Sequence, residues 1–225
     1  MEEKFAGIPV KVEYKKTSRL SMTFDKDGTL IVSVPLRASE SDILRFLNDH
    51  RRWIRIHYTQ AMAFAEEHED IRVEEGGKLP YLGENLTVHT GGRSRITMTG
   101  GEITFPEGAV EDDYVKWLKK KAKEYLPSKL ALISESTGIP FRRTRISGAK
   151  KSWGSCSPDG TVSLSWRLMM CPPEAIDYVI VHELCHRLHM DHSKEFWAEV
   201  ESRLPDYKVR KKWLDNNAFL MDLFE

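Results

Sequence analysis

Residues 181–197 read VHELCHRLHMDHSKEFW. The stretch holds His182, His186, His189 and His192, half of the chain's eight histidines. Histidine is a poor helix former, so the crowding calls for a reason. His182-Glu183-Leu184-Cys185-His186 is an HExxH pattern. On a helix, residues four apart share a face, and both imidazoles can then reach one metal ion. Glu183 lies about 100° round the helix from His182. It flanks the ion, where it can take a proton from water, rather than binding it. The preceding residues predict that helix independently. Pro172-Pro173-Glu174 suits a first turn. Ile176, Val179, Ile180, Val181 and Leu184 make the helix apolar on most sides, the mark of a buried one. Buried polar groups need partners, and a metal would supply one.

Two histidines hold one side of an ion. A catalytic zinc site uses three protein ligands and leaves one position open. His189 falls near the same helix face, but about 7.5 Å along the axis from the midpoint of the first two, at 1.5 Å per residue. Three residues in line on a straight helix cannot surround one ion. His192 escapes this if the helix stops near Leu188 and the chain turns through Met190-Asp191. Ser193 then caps the next helix, with Phe196, Trp197, Val200 and Leu204 facing inward. His192 is the expected third ligand; His189, Glu195 and Glu199 are the alternatives. His50, His57, His68 and His89 have no partner motif and read as ordinary residues. Imidazole ligation suits zinc.

Upstream, Trp153-Gly154-Ser155-Cys156 follows a strand and precedes a turn at Ser157-Pro158-Asp159-Gly160, after which TVSLSWRL reads as a second strand. Trp153 as a core residue and Gly154 as a bulge is one reading of this segment, and a substrate-binding edge strand is the other. Cys156 shows no surroundings that would lower a thiol pKa, so it reads as an inert thiol. Cys185 points away from the two histidines by helical geometry and reads as packing.

The first third of the chain is strand-rich. Val10, Val12 and Tyr14 alternate, as do Leu20, Met22 and Phe24, then Leu30, Val32 and Val34, with Asp27-Gly28 as a hairpin turn. Pro35 ends the run. Ser39 and Asp42 mark a capped helix start, and the helix reaches Ala65. An acidic stretch, EEHEDIRVEE, reads as a solvated connection. Short strands come next, around Tyr81, residues 86–89, 96–98 and 103–105. From Asp112 the spacing of Tyr114, Val115, Leu118, Ala122 and Tyr125 predicts a helix, which Pro127 kinks or splits. No internal repeat is evident. Strands come first and helices later, so the fold class is α+β. A boundary near residue 108 divides a strand-rich N-terminal region, 1–108, from a catalytic domain, 109–225.

The 34 basic residues balance 34 acidic ones, which argues against a surface built wholly for nucleic acid. Local basic clusters at Arg142, Arg143, Arg145, Lys150 and Lys151, and at Lys119, Lys120, Lys121 and Lys123, keep a DNA contact among the expectations. No apolar run approaches the length of a membrane-spanning helix. The first residues, MEEKFAGIPV, lack signal-peptide character. Three cysteines, sparse and odd in number, fit a reducing compartment, so the expected location is the cytoplasm.

HELCHRLHMDHSKEFW, taken with KSWGSCSPDGTVSLSWRL and PPEAIDYVIVHEL upstream, resembles the YgjP-like metal-dependent hydrolases, relatives of the SprT-like and WLM metalloproteases. The likeness is strongest over residues 141–215. It implies a zincin-like fold, zinc held by His182, His186 and His192, and Glu183 as general base. The spacing of His182, Glu183, His186 and His192 equals that of the metzincin pattern HExxHxxGxxH, but its glycine is replaced by His189 and no methionine turn is evident downstream, so that family is not assigned. In zincin-like folds an edge strand beside the active helix pairs with substrate, which makes Trp153, Gly154 and Ser155, with His189, candidate substrate-binding residues. Arg187, His189 and Tyr207 are the candidates for an oxyanion donor. The leading expectation is a zinc metallopeptidase acting on polypeptide, DNA-bound protein included. A UTP pyrophosphatase acting on a small molecule and a non-catalytic zinc module are the alternatives.

Overall fold

The computed structural model describes residues 4–25, 28–92 and 94–224. The chain divides between Asp70 and Ile71 into two compact units, each with its own core.

The first unit contains β1 (Lys4–Phe5), β2 (Ile8–Lys15), β3 (Ser21–Phe24), β4 (Leu30–Pro35), α1 (Glu40–Asp49) and α2 (Arg51–Glu67). The strand order is β1-β2-β4-β3, with β2 and β4 parallel and both outer pairs antiparallel. Leu30, Val32 and Val34 alternate inward and are fully buried, against Ile43 and Leu47 of α1 and Ile54 of α2. The predicted β3–β4 hairpin is present; Asp27 of its turn lies outside the described residues, and Gly28 has φ +77°. The single helix expected from Ser39 to Ala65 is two. At His50 the backbone leaves helical geometry, and the imidazole Nδ1 lies 2.8 Å from the carbonyl oxygen of Phe46.

The second unit opens with β5 (Lys78–Tyr81), β6 (Glu84–Gly92), β7 (Thr97–Thr99), β8 (Glu102–Pro106) and α3 (Glu111–Thr137). It continues with β9 (Arg143–Ser147), β10 (Gly154–Cys156), β11 (Thr161–Ser165), a 3-10 turn over Trp166–Met170, α4 (Pro173–Cys185), α5 (Lys194–Arg203), α6 (Tyr207–Asn216) and a second 3-10 turn over Ala218–Met221. The boundary therefore falls near residue 70 and not 108. Leu79, Leu86, Val88, Ile103 and Phe105 share one core with Tyr114 and Leu118 of α3 and with Leu164 and Ile180 beyond it. That apolar continuity overrides the change from strand-rich to helix-rich sequence. Pro127 sits inside α3 without splitting it. The hydrogen bond that proline forfeits is offset by the buried row of Leu118, Ala122, Leu126 and Leu130. No helix among the described residues is long and apolar enough to cross a membrane.

The structure also overturns the reading that the chain has no internal repeat. The sheet of β5 to β8 has the order β5-β6-β8-β7, with parallel β6 and β8 and antiparallel outer pairs, the same topology as the first sheet. Both sheets begin with a two-residue turn of matching backbone: Ala6 (φ 50°) and Gly7 (φ 85°) in one, Leu82 (φ 49°) and Gly83 (φ 84°) in the other. Positive φ at both central residues is the hairpin turn that matches strand twist. Both sheets end on a proline, Pro35 and Pro106, before a helix whose third residue is an aspartate. Asp42 and Asp113 each accept the N–H of the capping residue, Ser39 or Val110, at 3.1 Å. VPLRASESDILRFL (34–47) and FPEGAVEDDYVKWL (105–118) then align across the repeat. Arrangement is preserved while most side chains differ.

The two turns differ in what they meet. A Cβ on Gly83 would lie 2.8 Å from Cα of Pro172, and Leu82 N–H donates to the Met169 carbonyl at 2.7 Å, so this turn is pinned to the segment that leads into α4. A Cβ on Gly7 would meet nothing within 4 Å among the described residues. Gly7→Ala should therefore cost only the left-handed backbone penalty, about 1–2 kcal/mol. Gly83→Ala should cost more, because the backbone at Pro172 must move. Urea unfolding of the two variants checks this; equal losses would mean that the Pro172 contact carries no stability.

Candidate metal centre

α4 begins as its sequence requires, with Pro173 in the first turn and Glu174 beside the helix N-terminus. Ala175, Ile176, Val179, Ile180, Val181, Leu184 and Cys185 are buried along it, and it packs among α3, α5, α6, β10 and β11. The helix ends at Cys185, slightly earlier than expected. Leu188 N–H and His189 N–H both close onto the Cys185 carbonyl, at 2.9 and 3.0 Å. The chain then reverses. Asp191 Oδ1 accepts the N–H of Ser193 at 3.2 Å, and Ser193 Oγ accepts the N–H of Phe196 at 3.4 Å, capping α5.

This turn returns His192 to the face that carries His182 and His186. The Nε2 atoms of His192 and His182 are 3.1 Å apart. One ligand nitrogen from each of the three rings fits within a group no wider than 4.8 Å. Two imidazoles at tetrahedral angles on one zinc, with bonds near 2.0–2.1 Å, would place their nitrogens roughly 3.3 Å apart. The donor set thus fits a divalent ion of that size. Burial, reinforced by the neighbouring imidazoles, pushes the His182 pKa down to about 3. Burial also lowers that of His186. Both rings are therefore neutral at physiological pH, the form that binds metal. His186 Nδ1 donates to the His189 carbonyl at 3.0 Å, which leaves its Nε2 lone pair free. His182 Nδ1 is buried without a partner among the described residues.

Aromatic rings hold the imidazoles in place. Phe196 stacks on His186 at 4.5 Å between centroids and lies 4.9 Å from both His182 and His192. Trp197 stacks on His192 at 5.8 Å, Tyr207 on Trp197 at 5.5 Å, and Tyr178 on Tyr207 at 6.4 Å.

The three histidines open into a cleft of about 480 Å³ that also exposes Glu183. Glu183 is only 5% exposed, and burial raises its pKa to about 8. Its carboxyl lies under the backbone of β10: a Cβ on Gly154 would stand 2.8 Å from Glu183 Oε1. β10 is the outer strand of the sheet β10-β11-β9. Trp153, Gly154 and Ser155 all line the cleft. Cys156 lines it too, but burial and the nearby Glu183 raise its thiol pKa, which is the opposite of a nucleophile's environment. Burial raises Cys185 to about 11, consistent with a packing role.

Other candidates fall away from the cleft. The His189 side chain lies instead in a shallow hollow with Met190, Asp191, Ser193 and Glu195, so its contribution to the centre is its carbonyl. Arg187 reaches back to the Pro158 carbonyl at 2.9 Å and covers Gly160. Tyr207 sits behind Tyr178, stacked on its ring. In the basic cluster, Arg142 pairs with Asp159 at 3.2 Å. The cleft wall opposite β10 contains residues that the sequence reading missed: Tyr178, Lys211, Leu214 and Asp215. Tyr178 could have been found, because it is one turn before His182 on the same helix face. Lys211 and Asp215 carry no local signal, since only the packing of α6 on α4 brings them in.

Among solved structures, the crystal structure of the metallopeptidase zymogen abylysin of Pyrococcus abyssi is similar over 40% of this chain and 93% of that one, at 24% identity and a TM-score of 0.36. No curated protein matches. The family model of the YgjP-like metallopeptidase domain matches residues 18–217, which takes in most of both units. The chain therefore belongs to the YgjP-like family of metallopeptidase domains.

Proposed function

We propose that the chain is a zinc-dependent peptidase with a zincin-like active site, in which His182, His186 and His192 hold the metal and Glu183 is the general base. The observation that carries this reading is the convergence of three imidazoles beside a buried carboxyl, under the free edge of β10. Zinc in such a site acts as a Lewis acid toward a carbonyl and makes water more acidic. The protein's own groups do the rest. Glu183 accepts a proton at its carboxylate and delivers it to the departing amine. Its burial excludes bulk water, and a divalent charge beside it favours the ionised form that a base requires. The edge of β10 offers unpaired backbone groups to an extended polypeptide, which would bind as an added strand. Gly154 lets that strand lie directly on the carboxyl.

A nucleotide triphosphate fits this cleft less well. Recognition of phosphates draws on arginine forks and clustered cations. Among the described residues the cleft holds Lys211 as its basic side chain besides the imidazoles, and that ammonium is paired with Asp215 at 2.7 Å.

Glu183→Gln should retain zinc and lose turnover of an unfolded protein substrate by about 10²–10⁴-fold, the usual worth of a general base. Turnover equal to wild type would remove Glu183 from the mechanism. His192→Ala should weaken zinc binding by more than the roughly 10–100-fold cost of losing an outer-shell partner. His189→Ala should leave zinc binding unchanged, because only its backbone carbonyl is used. Competition with a chromophoric chelator measures both, and equal losses in the two variants would disprove the ligand assignment.

A further inference from the structure

Amide hydrolysis passes through a tetrahedral species whose oxygen gains negative charge, and a preorganised donor to that oxygen is worth about 10²–10³ in rate. None of the donors that the sequence offered is among the residues that line the cleft: the His189 side chain lies in its own hollow, Arg187 reaches back to the Pro158 carbonyl, and Tyr207 stacks on Tyr178. Tyr178 does line it. Its ring centroid is 5.8 Å from that of His182, one helical turn away on α4. The residue is 6% exposed, held by its stack on Tyr207, and its remaining exposure opens into the cavity with His182, Glu183 and His192.

The hydroxyl forms no hydrogen bond among the described residues. With no such partner, that oxygen keeps access to solvent, and Tyr178 borders the cleft, where a bound molecule can reach it. A tyrosine anchored by stacking, with its ring beside His182 and its hydroxyl without a hydrogen bond among the described residues, is placed to donate to a bound molecule. On the same wall, the Lys211 ammonium is spent on Asp215. Ser152 and Ser155 lie on the opposite wall, with β10.

We propose that Tyr178 is a further catalytic residue whose hydroxyl donates a hydrogen bond to the oxygen that becomes negative during hydrolysis. The inference rests on the peptidase reading above. The hydroxyl keeps its proton throughout, and no covalent bond to it forms or breaks.

The test is Tyr178→Phe in the full chain, which removes one oxygen and keeps the stacked ring. Zinc content and thermal midpoint should match wild type. Turnover of dye-labelled casein should fall about 10²-fold, with the loss in kcat and not in KM. Affinity for a zinc-directed peptide phosphonate, whose tetrahedral oxygens imitate the developing charge, should fall at least tenfold by calorimetry. Turnover and phosphonate affinity within twofold of wild type would overturn the proposal. A loss confined to KM would overturn it too, by making Tyr178 a wall of the binding site only. Wild-type protein that binds the phosphonate through Tyr178 yet leaves casein intact would refute the peptidase reading while supporting the donor role.

Discussion

Two imidazoles one helical turn apart hold one side of an ion, and the rest of this centre depends on how the chain supplies the third. α4 must stop within one turn of His186, reverse, and bring His192 back to a position 3.1 Å from His182. The short segment from Cys185 to Ser193 does several jobs in that reversal. The Cys185 carbonyl closes the last helical turn, the His189 carbonyl orients His186, and Ser193 caps the helix that carries Phe196 and Trp197. Those rings then wall the imidazoles. A helix continued by one more turn would carry His192 away and remove the aromatic wall with it.

The second constraint is depth. Glu183 is buried far enough for its proton affinity to rise, yet one edge of it faces the cleft. That balance depends on β10 having no side chain at residue 154, where backbone and carboxyl meet closely. Sheet and helix are therefore coupled at the carboxyl itself, and the helix is held from behind by the pinned turn at Leu82-Gly83 and by α3. The module that supplies this support occurs twice. In the first unit the same arrangement of four strands and capped helix stands without the β9–β11 sheet and α4. The repeated part is the scaffold, and the candidate metal-binding group lies on elements that the chain adds after the second copy.

Much of the site was legible because its signals are local. Helical spacing puts His182 and His186 on one face, and the geometry of a straight helix rejects His189 as a ligand in favour of a residue beyond the turn. The strand at Gly154 and the cap at Ser193 have short-range signatures as well. The repeat was hidden because strand alternation accepts almost any apolar residue, so Leu30, Val32 and Val34 need share nothing with Ile103 and Phe105 beyond burial. The boundary was misplaced for a related reason. Composition changes where strands give way to helices, whereas a domain ends where apolar contacts end.

Taken alone, the sequence determined the identity and order of the candidate metal-ligating histidines, the acidic group beside them, the buried character of α4 and the strand–turn–helix units along the chain. These depend on periodicity and on backbone preferences within a few residues. Tertiary structure decided which side chains meet across the cleft: Gly154 over Glu183, Tyr178 with an uncommitted hydroxyl, Lys211 and Asp215 arriving on α6. It also decided that residues 71–108 belong with the elements that carry the candidate metal centre. The physical reason is that packing is set by the shapes and buried areas of distant segments, and no spacing rule within one helix or strand encodes which distant surface will cover it.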